Sequence, residues 1–121
     1  IINYAKENKL KLGFVTSTTT NNINAVFTAL KDYIQKKDFD FIGNSNLINK
    51  PKPNSEIYYK ALEILSVEAS ECIAIEDTEE SVKSSLDAKI KCIGFPGNFH
   101  LQDSFDKCEM KVTKLDISIL N

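Results

Sequence analysis

Cys72–Ile75 is an unbroken apolar run that ends in two adjacent carboxylates, Glu76 and Asp77. A run this short and this uninterrupted suits a strand buried on both faces, which is the signature of a parallel sheet covered by helices. Two further runs repeat the pattern. Leu10–Thr16 (LKLGFVT) passes into a hydroxyl-rich tract that reaches Thr20, and Lys89–Phe95 (KIKCIGF) stops at Pro96-Gly97. Between them lie stretches with helical spacing. Asn21–Lys36 places Ile23, Val26, Phe27, Leu30 and Ile34 three and four residues apart, and Ser55–Leu65 does the same with Ile57, Tyr58, Ala61, Leu62 and Leu65. Glu79–Ala88 is a third helix. Phe39–Ile42 and Lys111–Leu115 are a short strand and an edge-strand candidate, and Ile117–Leu120 is a terminal turn. Alternation of strands and helices predicts an α/β fold: a three-layer, parallel, Rossmann-like sheet with helices on both faces, over residues 1–121 as a single domain.

Composition excludes several functions. The net charge of −2 gives no electrostatic footprint for nucleic acid. No apolar run approaches the ~20 residues of a membrane span. All 15 basic residues are lysine, so no guanidinium fork is available to clamp a phosphate. Cys72, Cys92 and Cys108 are odd in number and widely spaced, which predicts reduced thiols of a cytoplasmic protein rather than bridges or metal ligands. The first residues, Ile1, Ile2 and Ala5, resemble the end of an amphipathic helix already under way, and the expectation is that the sequence begins inside a longer protein.

In an open parallel sheet every strand's carboxyl end lies on one edge, where ligands bind. Three polar features follow such ends: the hydroxyls Thr16-Ser17-Thr18, Lys50 in the stiff loop NKPKP, and the Glu76-Asp77 pair. A hydroxyl donor, an ammonium group and carboxylates for a hard cation together suit phosphoryl transfer. Each has an ordinary alternative. A threonine run is a solvated loop or a cap, a lysine among prolines is a surface lysine, and Asp77 followed by Glu80 has the spacing of a helix N-cap with Glu at N3. His100 has no second histidine to make a metal site.

The order and spacing of these motifs resemble the haloacid dehalogenase (HAD) superfamily, in particular its β-phosphoglucomutase-like phosphatases. KLGFVTSTTTNNINAVFTAL is similar to the family's second motif, NKPKPNSEIYYKALEIL to the third and CIAIEDTEESV to the fourth. The resemblance implies that Thr16, or Ser17 if the register is one off, binds phosphate, and that Lys50, before the first proline, contacts it as well. It implies Mg²⁺ as cofactor, with Asp77 as direct ligand and Glu76 acting through water, and a small phosphorylated metabolite as substrate. Phosphatase and phosphomutase both remain open. The nucleophilic Asp of a D-x-D-x-T motif and the cap are missing, so the chain resembles the C-terminal half of such a core, without its first strand, and is expected to be inactive alone. Asp38-Phe39-Asp40 is the only D-x-D and lacks the threonine. Ser81 and Lys89 stand where the family has glycines. The missing strand lies between those matching Leu10–Thr16 and Cys72–Ile75. These two should therefore pair directly, receive a second copy or receive another segment; two open edges would count against the reading. The alternatives are a non-catalytic, self-associating module with a degenerate phosphate site and, less consistent with the motif order, a phospho-receiver.

Overall fold

The structure, a computed structural model, describes residues 1–120. Helix α1 (Ile2–Glu7) leads to strand β1 (Gly13–Phe14), helix α2 (Thr20–Ala29), strand β2 (Phe41–Ile42), helix α3 (Glu56–Leu65), strand β3 (Ile73–Glu76), helix α4 (Glu79–Asp87), strand β4 (Lys91–Gly94) and strand β5 (Met110–Lys111). Short 3-10 turns fill the connections, the last at Ile117–Leu120.

All strand pairs are parallel, as the apolar runs predict, but they form two sheets rather than one. β1 pairs with β2, with Gly13 opposite Phe41. β4 lies between β3 and β5, with Ala74 opposite Cys92 and Ile93 opposite Met110. Direct pairing of β1 with β3 is therefore not the arrangement found. Each is an edge strand, and their free edges leave a gap between the sheets. Two open edges are what the sequence disfavours; the carboxyl ends of the two strands nonetheless line one cleft.

Helices cover both faces. Phe14 packs against Phe27 of α2, with ring centres 5.2 Å apart, and Phe39 completes the cluster. Val15, the next residue along, packs against the main core instead. Neighbouring residues of an extended chain point to opposite faces, so α2 covers one face of this sheet and the main core the other. That core joins Phe41 of β2, Ile57, Tyr58 and Ala61 of α3, Ala74 of β3, Val82 of α4 and Cys92 of β4. Cys92 and Ile93 are both sealed, at 0% and 2% exposure, so β4 is buried on both faces. Gly94 ends it because Phe105 lies on top: a Cβ there would sit 2.4 Å from Phe105 Cδ1.

The largest difference in bounds is at α2, and β1 and β5 are also shorter than the runs Leu10–Thr16 and Lys111–Leu115 predict. α2 stops at Ala29, seven residues before Lys36, and Tyr33 and Ile34 both donate to the carbonyl of Leu30 in a turn. The apolar spacing persists through Ile34, which is half-buried although the chain has already left the helix. At the start of α3, Ser55 makes no capping bond; the neighbouring Asn54 side chain accepts from Glu56 N at 2.9 Å.

Candidate active site

The hydroxyl tract divides its labour. Thr19 caps α2, accepting from Asn22 N, and Thr18 Oγ1 accepts from the Asn22 side chain at 2.7 Å. Thr16 Oγ1 accepts from Thr18 N at 3.2 Å. Its own proton is left to donate, and the Ser17 hydroxyl makes no side-chain hydrogen bond among the described residues. Both line a cleft of about 700 Å³ between β1 and β3.

The acidic pair meets this cleft from the other side. The helix cap here is Thr78, which accepts from Ser81 N at 3.2 Å. The cap expected at Asp77 is thus one residue later, and the Asp77 carboxylate is left exposed on the cleft with no side-chain bond among the described residues. Glu76 is buried at 8% exposure, and Glu80, in the first turn of α4, also lines the cleft.

Lysine reaches the cleft from a different position than expected. Lys50 lies outside it, exposed on a shallower pocket beside Glu56 and Lys60. The cause is Glu56, whose carboxylate accepts from Asn49 N at 3.0 Å and from Lys50 N at 2.8 Å. Those two backbone bonds hold the Glu56 carboxyl below its usual range and pin that end of the loop against α3. Lys52, two residues on, points into the cleft. Its ammonium pairs with Glu76 Oε1 at 2.5 Å and donates to the carbonyl of Val15 at 3.1 Å. One side chain therefore ties the carboxyl end of β1 to that of β3. The Tyr58 hydroxyl donates to the same Glu76 oxygen, and Lys52 Nζ lies 5.2 Å from the centre of the Tyr58 ring. Burial first, and then the Glu76 charge, push the Tyr58 phenol well above its usual range, so it stays a donor.

Other candidates are engaged elsewhere. Asp38 accepts from Gln35 N and pairs with Lys6 at 2.7 Å, and Asp40 accepts from Leu12 N at 2.8 Å. The D-x-D of this chain is a structural device that fastens the start of β1 and the approach to β2. All three cysteines are free, and burial pushes the Cys92 thiol up to about 12. His100 pairs with Asp103 at 2.8 Å. Among the described residues no helix is long and apolar enough to cross a membrane.

Among the described residues no group of three or more His, Cys, Asp or Glu side chains is arranged to hold a metal by itself. The donors that are present fit a hard cation all the same. Mg²⁺ commonly takes one or two carboxylates and completes its shell with water and substrate oxygens, and Asp77 and Glu76 offer such a pair on one rim.

A family model described as haloacid dehalogenase-like hydrolase matches residues 1–95. The chain belongs to the haloacid dehalogenase-like hydrolase family. Among its relatives in that family, protein CbbY of Cereibacter sphaeroides is 28% identical over 105 residues, covering 87% of this chain and 46% of the relative. The plasmid CbbY protein of Cupriavidus necator is 32% identical over 106 residues, covering 88% and 42%. The crystal structure of CbbY from Rhodobacter sphaeroides in complex with phosphate matches with a TM-score of 0.85 at 26% identity, over 92% of this chain and 49% of that one. A β-phosphoglucomutase from Clostridium difficile shares the fold, with a TM-score of 0.79 at 24% identity over 98% and 51%. The chain spans about half the length of the curated relatives it matches. Within this haloacid dehalogenase-like frame, the signal for Lys52 was present in the sequence. NKPKP holds two Lys-Pro steps, and only the second leads directly into the helix that carries Tyr58.

Proposed function

We propose that this chain forms the phosphoryl-binding part of a magnesium-dependent phosphatase or phosphomutase that acts on a small phosphorylated sugar. The observation that carries the proposal is the meeting of Thr16, Ser17, Lys52, Glu76 and Asp77 around one cleft at the carboxyl ends of β1 and β3. Thr16 or Ser17 donates to one non-bridging phosphoryl oxygen. Lys52 places a positive charge on another, where charge develops during transfer. Asp77, with Glu76 behind it, would hold Mg²⁺, which when bound neutralises phosphoryl charge. Lys52 replaces Lys50 in this assignment, because Lys50 faces a different pocket. The CbbY structures of Rhodobacter sphaeroides, in complex with phosphate and, as a mutant, with xylulose-1,5-bisphosphate, support the substrate class.

The chemistry needs a nucleophile, in the family an Asp that becomes an aspartyl-phosphate. Asp38 and Asp40 are committed to backbone and lysine contacts, so this chain alone is proposed to bind but not turn over. Calorimetric titration with inorganic phosphate, with and without Mg²⁺, tests the binding: affinity that requires the cation supports the reading, and no binding under either condition overturns it. Phosphate release from sugar phosphates should stay at background. The open edges of β1 and β3 favour a second reading, a non-catalytic module that associates through them. It predicts association without any phosphate affinity.

A further inference from the structure

By its spacing in the sequence, Tyr58 is an apolar-face residue of α3. At 5% exposure and inside the main core it does fill that role. A phenylalanine would fill it equally, so packing leaves the hydroxyl unexplained. That hydroxyl donates to Glu76 Oε1, the oxygen that also receives Lys52 Nζ at 2.5 Å. Glu76 Oε2 takes part in no hydrogen bond among the described residues, and no buried side-chain oxygen or nitrogen there lacks a partner. Oε2 is therefore the oxygen that opens to solvent through the cleft Glu76 lines. Lys52 is similarly divided. Two of its three ammonium donors are taken by Glu76 and Val15 O, which leaves one. The ring of Tyr58, 5.2 Å away, limits where the flexible side chain can go.

We infer that Tyr58 is the positioning residue of this cleft: it holds the Lys52–Glu76 pair so that the third ammonium donor and the second carboxylate oxygen meet a phosphate dianion and its accompanying cation. The ligand in that statement rests on the phosphoryl-binding reading; the geometry does not. Without the phenol, Glu76 Oε1 loses a donor in a site nearly closed to water. The carboxylate is then free to turn and pair with Lys52 through either oxygen, drawing both charges away from the ligand.

Tyr58→Phe keeps the ring and its packing, so it separates positioning from core filling. The first readout is the proton–nitrogen NMR signal of the Lys52 ammonium, assigned by its loss in Lys52→Met. Wild type should show slow exchange with water. Tyr58→Phe should accelerate that exchange by roughly tenfold, the size expected for losing one hydrogen bond to a charged group, while the backbone amide spectrum stays folded. Glu76→Gln, which removes the shared charge, should produce the same acceleration. The second readout is the affinity for inorganic phosphate in the presence of Mg²⁺, expected to fall about tenfold in Tyr58→Phe. Unchanged ammonium exchange in Tyr58→Phe overturns the inference, as does phosphate binding of equal, measurable affinity in the two proteins. Accelerated exchange in Tyr58→Phe, with a wild-type chain that binds no phosphate, upholds the positioning and overturns the phosphoryl-binding reading beneath it.

Discussion

The charge on Lys52 is almost out of water. Its side chain is 11% exposed and that of its partner Glu76 is 9% exposed. Removing one member of a buried pair strands the other, at a cost of about 3–5 kcal/mol. Lys52→Met should accordingly lower the urea-unfolding stability by about 3 kcal/mol and weaken phosphate binding. Lys50→Met, whose side chain is exposed outside the cleft, should leave stability within about 0.5 kcal/mol and phosphate affinity unchanged. The double variant Lys52→Met with Glu76→Gln distinguishes the two losses: it should regain part of the stability, because no charge is left stranded, but none of the phosphate binding. A Lys50 variant that loses phosphate while the Lys52 variant keeps it would reverse the assignment. The same pair of lysines marks a limit of sequence reading. Both precede a proline, so a Lys-Pro step alone does not choose between them; nearness to α3 favours Lys52, and the burial and partners of the side chains put Lys52 on the cleft. The carboxylates were easier to locate, because the residues that end a parallel strand lie at the carboxyl edge of the sheet.

At the scale of elements, three helices end in the same way with unsuitable residues. After α4, Lys89 N donates to Leu86 O and Ile90 N to Ser85 O, the paired bonds of a Schellman motif. Lys89 takes φ 65° to close it. Lys9 after α1 and Ser66 after α3 do likewise, at φ 56° and 52°. A side chain in this left-handed region costs about 1 kcal/mol that glycine avoids, and the chain spends none of its four glycines there. Lys89→Gly is therefore expected to stabilise the protein by about 0.5–1 kcal/mol, raising Tm by a few degrees in a thermal melt; a fall in Tm would show that the Lys89 side chain does something the backbone argument omits. The departure from the family glycine at this position thus keeps the loop's shape and strains it slightly. Helix and strand cores were legible because burial imposes their spacing. The end of α2 was not, since neither glycine nor proline marks it and Ile34 keeps the rhythm beyond the turn. The division into two sheets was equally hidden: apolar runs report that strands are buried, not which strand lies beside which.

At the scale of the whole molecule, the two sheets meet at one end only. Lys52 joins the carboxyl ends of β1 and β3 through Val15 and Glu76, while along their length both strands keep an unpaired edge. Such edges carry free N–H and C=O groups and template pairing with another chain. Apolar surface accompanies them: Ile73, the first residue of β3, is 43% exposed. Water can satisfy an exposed edge, so the gap does not prevent folding; what it provides is a place where an added strand gains hydrogen bonds. The isolated chain should therefore self-associate as its concentration rises from micromolar to millimolar, which analytical ultracentrifugation measures directly. Ile73→Lys places a charge on the edge without opening the core, because that side chain is already near the surface, and it should shift the equilibrium toward monomer with little change in unfolding midpoint. An extended peptide of alternating apolar residues, added in excess, should compete with association if the gap is its site and have no effect if the copies meet through another face. A chain that remains monomeric throughout that range would mean that water alone satisfies both edges, and that the separation of the sheets is a tolerated feature of this fold rather than a vacancy seeking a strand.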